Sequence, residues 1–78
     1  PNIDYIDFFM VKGGRVVKQY ATGALRPFDT RPVWDNNFIF PMPHQNGQVE
    51  TIYLRIKTQK VFRLPLKILS AEKLLTFS

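Results

Sequence analysis

Residues Ile3 to Val11 read IDYIDFFMV, with Ile6, Phe8 and Met10 alternating against Asp7 and Phe9. β-Branched and aromatic types dominate and both faces are mostly apolar, which predicts an inner strand. Gly13-Gly14 follows, and two residues free to take positive φ are what a type I′ turn needs. VKGGRVV therefore predicts a hairpin into a second strand from Arg15 to Tyr20. From Val49 to Thr58 the alternation is clean, with Ile52, Leu54 and Ile56 on one face and Thr51, Tyr53, Arg55 and Lys57 on the other. Val61 to Leu69 repeats it, with Phe62, Leu64, Leu66 and Ile68 inward and Arg63, Pro65 and Lys67 outward. The two segments predict a second antiparallel pair around Gln59-Lys60, and Pro65, which lacks a ladder donor, predicts an edge or a bulge.

Between these pairs the periodicity breaks. Ala21 to Val33, ATGALRPFDTRPV, is punctuated by Gly23, Pro27 and Pro32, and Asp29-Thr30 offers side-chain-to-backbone turn bonds, so an ordered loop is expected. Phe38 to Phe40 form a short apolar strand stopped by Pro41 and Pro43, and Asn46-Gly47 turns the chain. The tail SAEKLL predicts a helical turn with Ser70 as N-cap and Lys73 later in the turn. About five short strands at this spacing make an all-β protein, an antiparallel sandwich or open barrel.

Composition narrows the function classes. The chain has 78 residues and no cysteine, which excludes a disulfide scaffold, a Cys zinc site, a thiol nucleophile and an iron–sulfur cluster. Size scaling allows roughly 63% of the unfolded surface to be buried, enough for one small core, so a single domain over 1–78 is expected. Its charge-free stretches are far shorter than the roughly 18 apolar residues of a membrane span, and no signal-peptide pattern opens the chain. A net charge of +5 permits attraction to nucleic acid, anionic lipid or acidic sugar without choosing among them.

Candidate chemistry is sparse. The single histidine, His44, lies between Pro43 and Gln45 with no nucleophile or orienting acid indicated, and no His or Cys pair anchors a metal. Asp4 and Asp7 fall on opposite strand faces, and Asp29 and Asp35 sit in loops, so no glycosidase-type pair is argued from spacing. Asp35-Asn36-Asn37 carries oxygen atoms suited to calcium, but its ordinary reading is a turn. Neither a catalytic residue, a metal nor a cofactor is expected. Gly13-Gly14 lies between strands with no following helix, which favours the hairpin over a phosphate cradle. Arg55, Lys57, Lys60, Arg63 and Lys67 form a basic face beside Tyr53: a solvated surface, or a stacking platform for single-stranded nucleic acid. Trp34 is the only tryptophan; core packing or partial burial is the usual fate of such a ring, and a sugar site is the alternative.

The run GALRPFDTRPVWDNNFIFPM, followed by ETIYLRIKTQ and FRLPLKI, resembles the type 2 extracellular domain of the bacterial seven-transmembrane receptors with diverse intracellular signalling modules. The matching elements, in order, are Gly23, Leu25, Pro27, Phe28, Arg31, Pro32, Phe38, Phe40, Pro41, Tyr53, Leu54, Arg55, Leu64, Pro65 and Leu66, within about residues 5 to 69. Two departures are Ala24, where an acidic residue is frequent, and Trp34-Asp35, which replaces a variable polar pair. The resemblance implies a jelly-roll-like β-sandwich similar to carbohydrate-binding modules. It implies a periplasmic or extracellular sensor of a bacterial inner-membrane histidine kinase or nucleotide cyclase. It further implies a partial, C-terminal portion of a longer domain, connected to membrane only through flanking segments that are absent here.

A non-enzymatic ligand-binding module follows, with a saccharide or small carboxylate as expected ligand. The loop supplies Trp34 to stack on a sugar, Arg31 for hydroxyl or carboxylate oxygens, and Asp35 and Asn37 for directional hydrogen bonds. Loop pinning through backbone carbonyls is the competing role for Arg31. A site on the sheet face makes Tyr53 and Arg55 the candidates instead. An open sandwich edge predicts a homo-oligomer. The other classes are a small basic single-strand nucleic-acid binder, which is not favoured, and a structural dimerisation domain.

Overall fold

The computed structural model describes residues 3–42, 50–68 and 74–78. Strands β1 (Tyr5–Lys12) and β2 (Arg15–Thr22) form the expected hairpin. Its turn closes between Lys12 and Arg15 with φ of 58° at Gly13 and 74° at Gly14. The register shifts between Met10, opposite Lys18, and Val11, opposite Val16, which makes Val17 the extra residue of a bulge. β4 (Glu50–Lys57) pairs antiparallel with β1 and with β5 (Val61–Ile68), giving a sheet in the order β2-β1-β4-β5. β1 is thus an inner strand, and β5, with Pro65, is at the edge of this sheet among the described residues.

The second sheet pairs β3 (Phe38–Pro41) antiparallel with β6 (Leu74–Phe77). The described residues hold six strands, in line with the about five expected, and the expected helical turn is corrected at Leu74-Leu75. A six-residue helix has little stability of its own. Strand pairing instead sets Leu75 opposite Phe40 and Phe77 opposite Phe38, and both Leu75 and Phe77 pack on the core. Ser70 to Lys73, His44 and the Asn46-Gly47 turn lie outside the described residues.

The sheets face each other across the apolar positions of β1, β3 and β4. Ile6, Phe8, Met10, Phe38, Phe40, Met42, Ile52, Leu54 and Ile56 form one buried cluster. Phe8 and Phe40 stack across it, centroids 4.7 Å apart and planes within 6°, and Tyr20 tilts against both rings. Two expectations for β5 are corrected. Phe62 and Leu64 take the predicted register, opposite Ile56 and Leu54, yet are 49% and 43% exposed. The second sheet shares its core with β1 and β4 through Phe38, Phe40, Leu75 and Phe77, and these two side chains of β5 are left half open at the edge.

Candidate functional site

The loop between β2 and β3 is anchored by close approach to the start of β1. The N–H groups of Ala24 and Leu25 donate to the Ile3 and Asp4 carbonyls at 2.8 and 3.1 Å. Gly23 permits this: its φ is +131°, and a Cβ there would lie 2.2 Å from the Asp4 carbonyl oxygen. One turn of 3-10 helix, Phe28–Thr30, follows. The Thr30 hydroxyl bonds the Pro27 carbonyl at 2.6 Å and the fully buried Thr22 hydroxyl at 2.9 Å, tying the turn to the end of β2.

Arg31 holds the rest of this loop. Its guanidinium lies between the Phe28 and Phe38 rings, 4.4 and 4.2 Å from their centroids, and Nη1 donates to the Asp35 and Asn36 carbonyls at 2.8 and 3.0 Å. The Asn37 N–H donates to Asp35 Oδ1 at 2.8 Å, the side-chain turn expected of the DNN sequence. Trp34 packs edge-on against Phe28 yet is 76% exposed, which corrects the expectation of partial burial. The four loop candidates Arg31, Trp34, Asp35 and Asn37 are thus gathered together, but Arg31 Nη1 and Asp35 Oδ1 are bonded within the loop itself.

Tyr53 and Arg55 are elsewhere. The alternation that buries Ile6, Phe8 and Met10 turns Asp7 and Phe9 to the opposite, outer face of the large sheet, where β4 contributes Tyr53, Arg55 and Lys57. Register arranges this face in rows: Phe9 opposite Tyr53, and Asp7 opposite Arg55, which is in turn opposite Arg63 of β5. Phe9, Tyr53, Arg55 and Arg63, with Leu54 and Leu64, line an almost wholly apolar open groove of about 410 Å³. Tyr53 is 48% exposed along it.

The charges beside the groove are organised by Asp7. Its Oδ1 accepts from Arg26 at 2.7 Å and its Oδ2 from Arg55 at 3.2 Å, with the Asp7 side chain only 15% exposed. Arg26 Nη1 also reaches the Thr22 carbonyl at 3.1 Å, and its guanidinium covers the Tyr5 ring, as Lys57 does from the neighbouring position. One carboxylate thus joins the β2–β3 loop to the outer face.

The family model described as 7TMR-DISM extracellular 2 matches residues 1–70. The chain belongs to this family. It is an extracellular domain of sensor type, and the family occupies the extracellular or periplasmic region of membrane receptors. Neither the curated proteins nor the solved structures gave a match.

Within this receptor domain the motif residues divide by physical role. Gly23 allows the loop to dock, Arg31 pins it, Phe38 and Phe40 fill the core, and Tyr53 and Arg55 face outward. The sequence pattern does not single out Arg26, and Asp7 and Phe9 enter it only as strand positions, Asp7 also as an acid with no paired carboxylate. The available signal was an acid inside an apolar strand and an arginine inside the Leu25–Phe28 motif; their meeting depends on the β1–β4 register and on the path of the loop after Gly23.

Proposed function

We propose that the chain is the ligand-sensing module of a bacterial inner-membrane receptor, related in architecture to carbohydrate-binding modules, and that a saccharide binds on the outer face of its large sheet. Signal then passes through the membrane region to an intracellular histidine kinase or nucleotide cyclase. The observation that carries the reading is the open groove at Phe9, Tyr53, Arg55 and Arg63. A volume of 410 Å³ falls within the roughly 300–1,000 Å³ of small-molecule sites, and an aromatic floor with a few polar groups is the usual composition of such sites.

The outer face supports this better than the loop does. Arg31 Nη1 is occupied by two backbone carbonyls and its guanidinium by two rings, and Asp35 Oδ1 accepts from the Asn37 backbone N–H, so the two charged groups of the loop are turned to the loop itself. Tyr53, 48% exposed, lines the groove together with Phe9, whereas the more exposed Trp34, at 76%, is not among the residues lining it. The test is calorimetric titration of the chain with a panel of neutral and acidic oligosaccharides, repeated on Tyr53→Ala. Binding that is abolished by Tyr53→Ala with the fold retained is the expected result. Absence of binding across the panel, or binding unchanged in Tyr53→Ala and lost in Trp34→Ala, overturns the sheet-face reading.

A further inference from the structure

The outer-face groove has an electrostatic asymmetry that its stability does not require. Arg55 and Arg63 stand directly opposite each other on adjacent strands, where like charges are destabilising. The Asp7 carboxylate, which faces this pair from β1, is already bonded to both Arg26 and Arg55. Asp7, Arg55 and Arg63 thus stand in one row across three strands, with Arg26 on the far oxygen of Asp7: one carboxylate beside three guanidinium groups, two of which it bonds, a local excess of two positive charges. Among the described residues Arg63 has no acidic partner. One row along, the Phe9–Tyr53 pair provides a flat apolar floor. Successive same-face positions on a strand are about 6.6–6.8 Å apart, a gap that a long arginine side chain closes.

We infer that this groove selects a carboxylated saccharide: the pyranose ring of a hexuronate residue lies on Tyr53 and Phe9, and its carboxylate is received between Arg55 and Arg63. The inference rests on the saccharide reading above and specifies its ligand class. A carboxylate between the two guanidinium groups relieves their repulsion and forms charge-assisted hydrogen bonds, which are stronger than neutral ones. Asp7 acts as a positioning residue, since its Oδ2 holds the Arg55 guanidinium while Arg26 holds Oδ1. The groove is suited to one or two sugar residues rather than to a nucleic-acid strand. A strand needs basic groups tracking the backbone over at least about four nucleotides, whereas the two arginines occupy a single row.

The experiment compares a hexuronate trimer with its methyl ester, which keeps the ring stacking and removes the charge, by calorimetric titration of the 78-residue chain. The acid is expected to bind roughly tenfold or more tightly, with the preference shrinking as salt rises. Arg63→Gln, at an exposed position, is expected to bring the acid-to-ester affinity ratio down to near one, and Arg63→Lys to restore part of it; a ratio unchanged in Arg63→Gln overturns the inference. Equal affinity for acid and ester overturns the acidic selectivity and leaves the saccharide reading standing. No binding of either form, or of any neutral oligosaccharide, overturns both. Benzoate competing as well as the trimer, or oligothymidylate outcompeting it, replaces the saccharide with an aromatic acid or a nucleic acid and overturns the inference.

Discussion

Replacing Gly23 by alanine tests how the loop is fixed to the sheet. The added Cβ would stand 2.2 Å from the Asp4 carbonyl oxygen and 2.6 Å from Tyr5 Cα, while ordinary contact begins at 3.4 Å. The loop and the start of β1 must part by about 1 Å, and both obstacles are backbone, so no side chain can swing aside. Parting stretches the 2.8 and 3.1 Å bonds from Ala24 and Leu25, each contributing about 1 kcal/mol. A φ of +131° adds strain of about 1–3 kcal/mol for alanine, against an unfolded-state gain below about 1 kcal/mol. The net loss is about 3–4 kcal/mol, a large share of the roughly 4–12 kcal/mol expected for 78 residues. Gly14→Ala is the control: its φ of +74° carries the conformational penalty, but nothing lies within 4 Å of the new atom, so about 1 kcal/mol is lost. Urea unfolding followed by far-ultraviolet circular dichroism reads both. With a slope near 1 kcal/mol per molar urea, Gly23→Ala shifts the midpoint by more than about 2 M or prevents folding. A Gly23→Ala midpoint within 0.5 M of Gly14→Ala would refute the close-approach argument.

Three further outcomes follow from the geometry. Asp7→Ala removes the carboxylate shared by Arg26 and Arg55 and is expected to lose about 1–3 kcal/mol, mostly through the better-buried Arg26 contact, with the deficit shrinking at high salt; an unchanged urea midpoint at low salt would contradict it. Arg31→Ala frees the loop, so the emission anisotropy of Trp34, the sole tryptophan, falls; Arg31→Lys does not restore it, because an ammonium lacks the planar face that stacks between the Phe28 and Phe38 rings, and full recovery with lysine would count against the pinning role. Self-association is expected through the edge strand β5, where Phe62 and Leu64 are half exposed: sedimentation velocity should show a concentration-dependent dimer that Phe62→Ser with Leu64→Ser abolishes, and a monomer at high micromolar concentration in the unaltered chain would contradict it.

Period-two alternation makes the large sheet legible in the sequence, because strands half buried by a core must alternate and the Gly13-Gly14 turn makes a short connection. The second sheet was half legible. Phe38 to Phe40 reads as a strand, but β6 is only four residues long, and Leu74 to Phe77 gain their extended form from pairing with β3, a contact between distant segments that local pattern does not encode. The exposure of Phe62 and Leu64 escaped for the same reason, since alternation specifies the face of a residue and not the extent of the layer above it. At the candidate site, residue types were readable and neighbours were not. Arg31 carried a pinning role in its Pro-braced surroundings, whereas the Asp7–Arg26–Arg55 cluster exists only once β1 and β4 are in register and the loop has turned at Gly23.

The central claim, that the outer face of the large sheet is where this receptor domain takes its ligand, is tested most directly by backbone amide chemical-shift mapping during titration with the hexuronate trimer. The account predicts shifts concentrated at Phe9, Tyr53, Arg55 and Arg63, with Trp34 and its neighbours from Arg31 to Asn37 unmoved. Shifts confined to the Arg31–Asn37 loop, or none at saturating trimer, would contradict it.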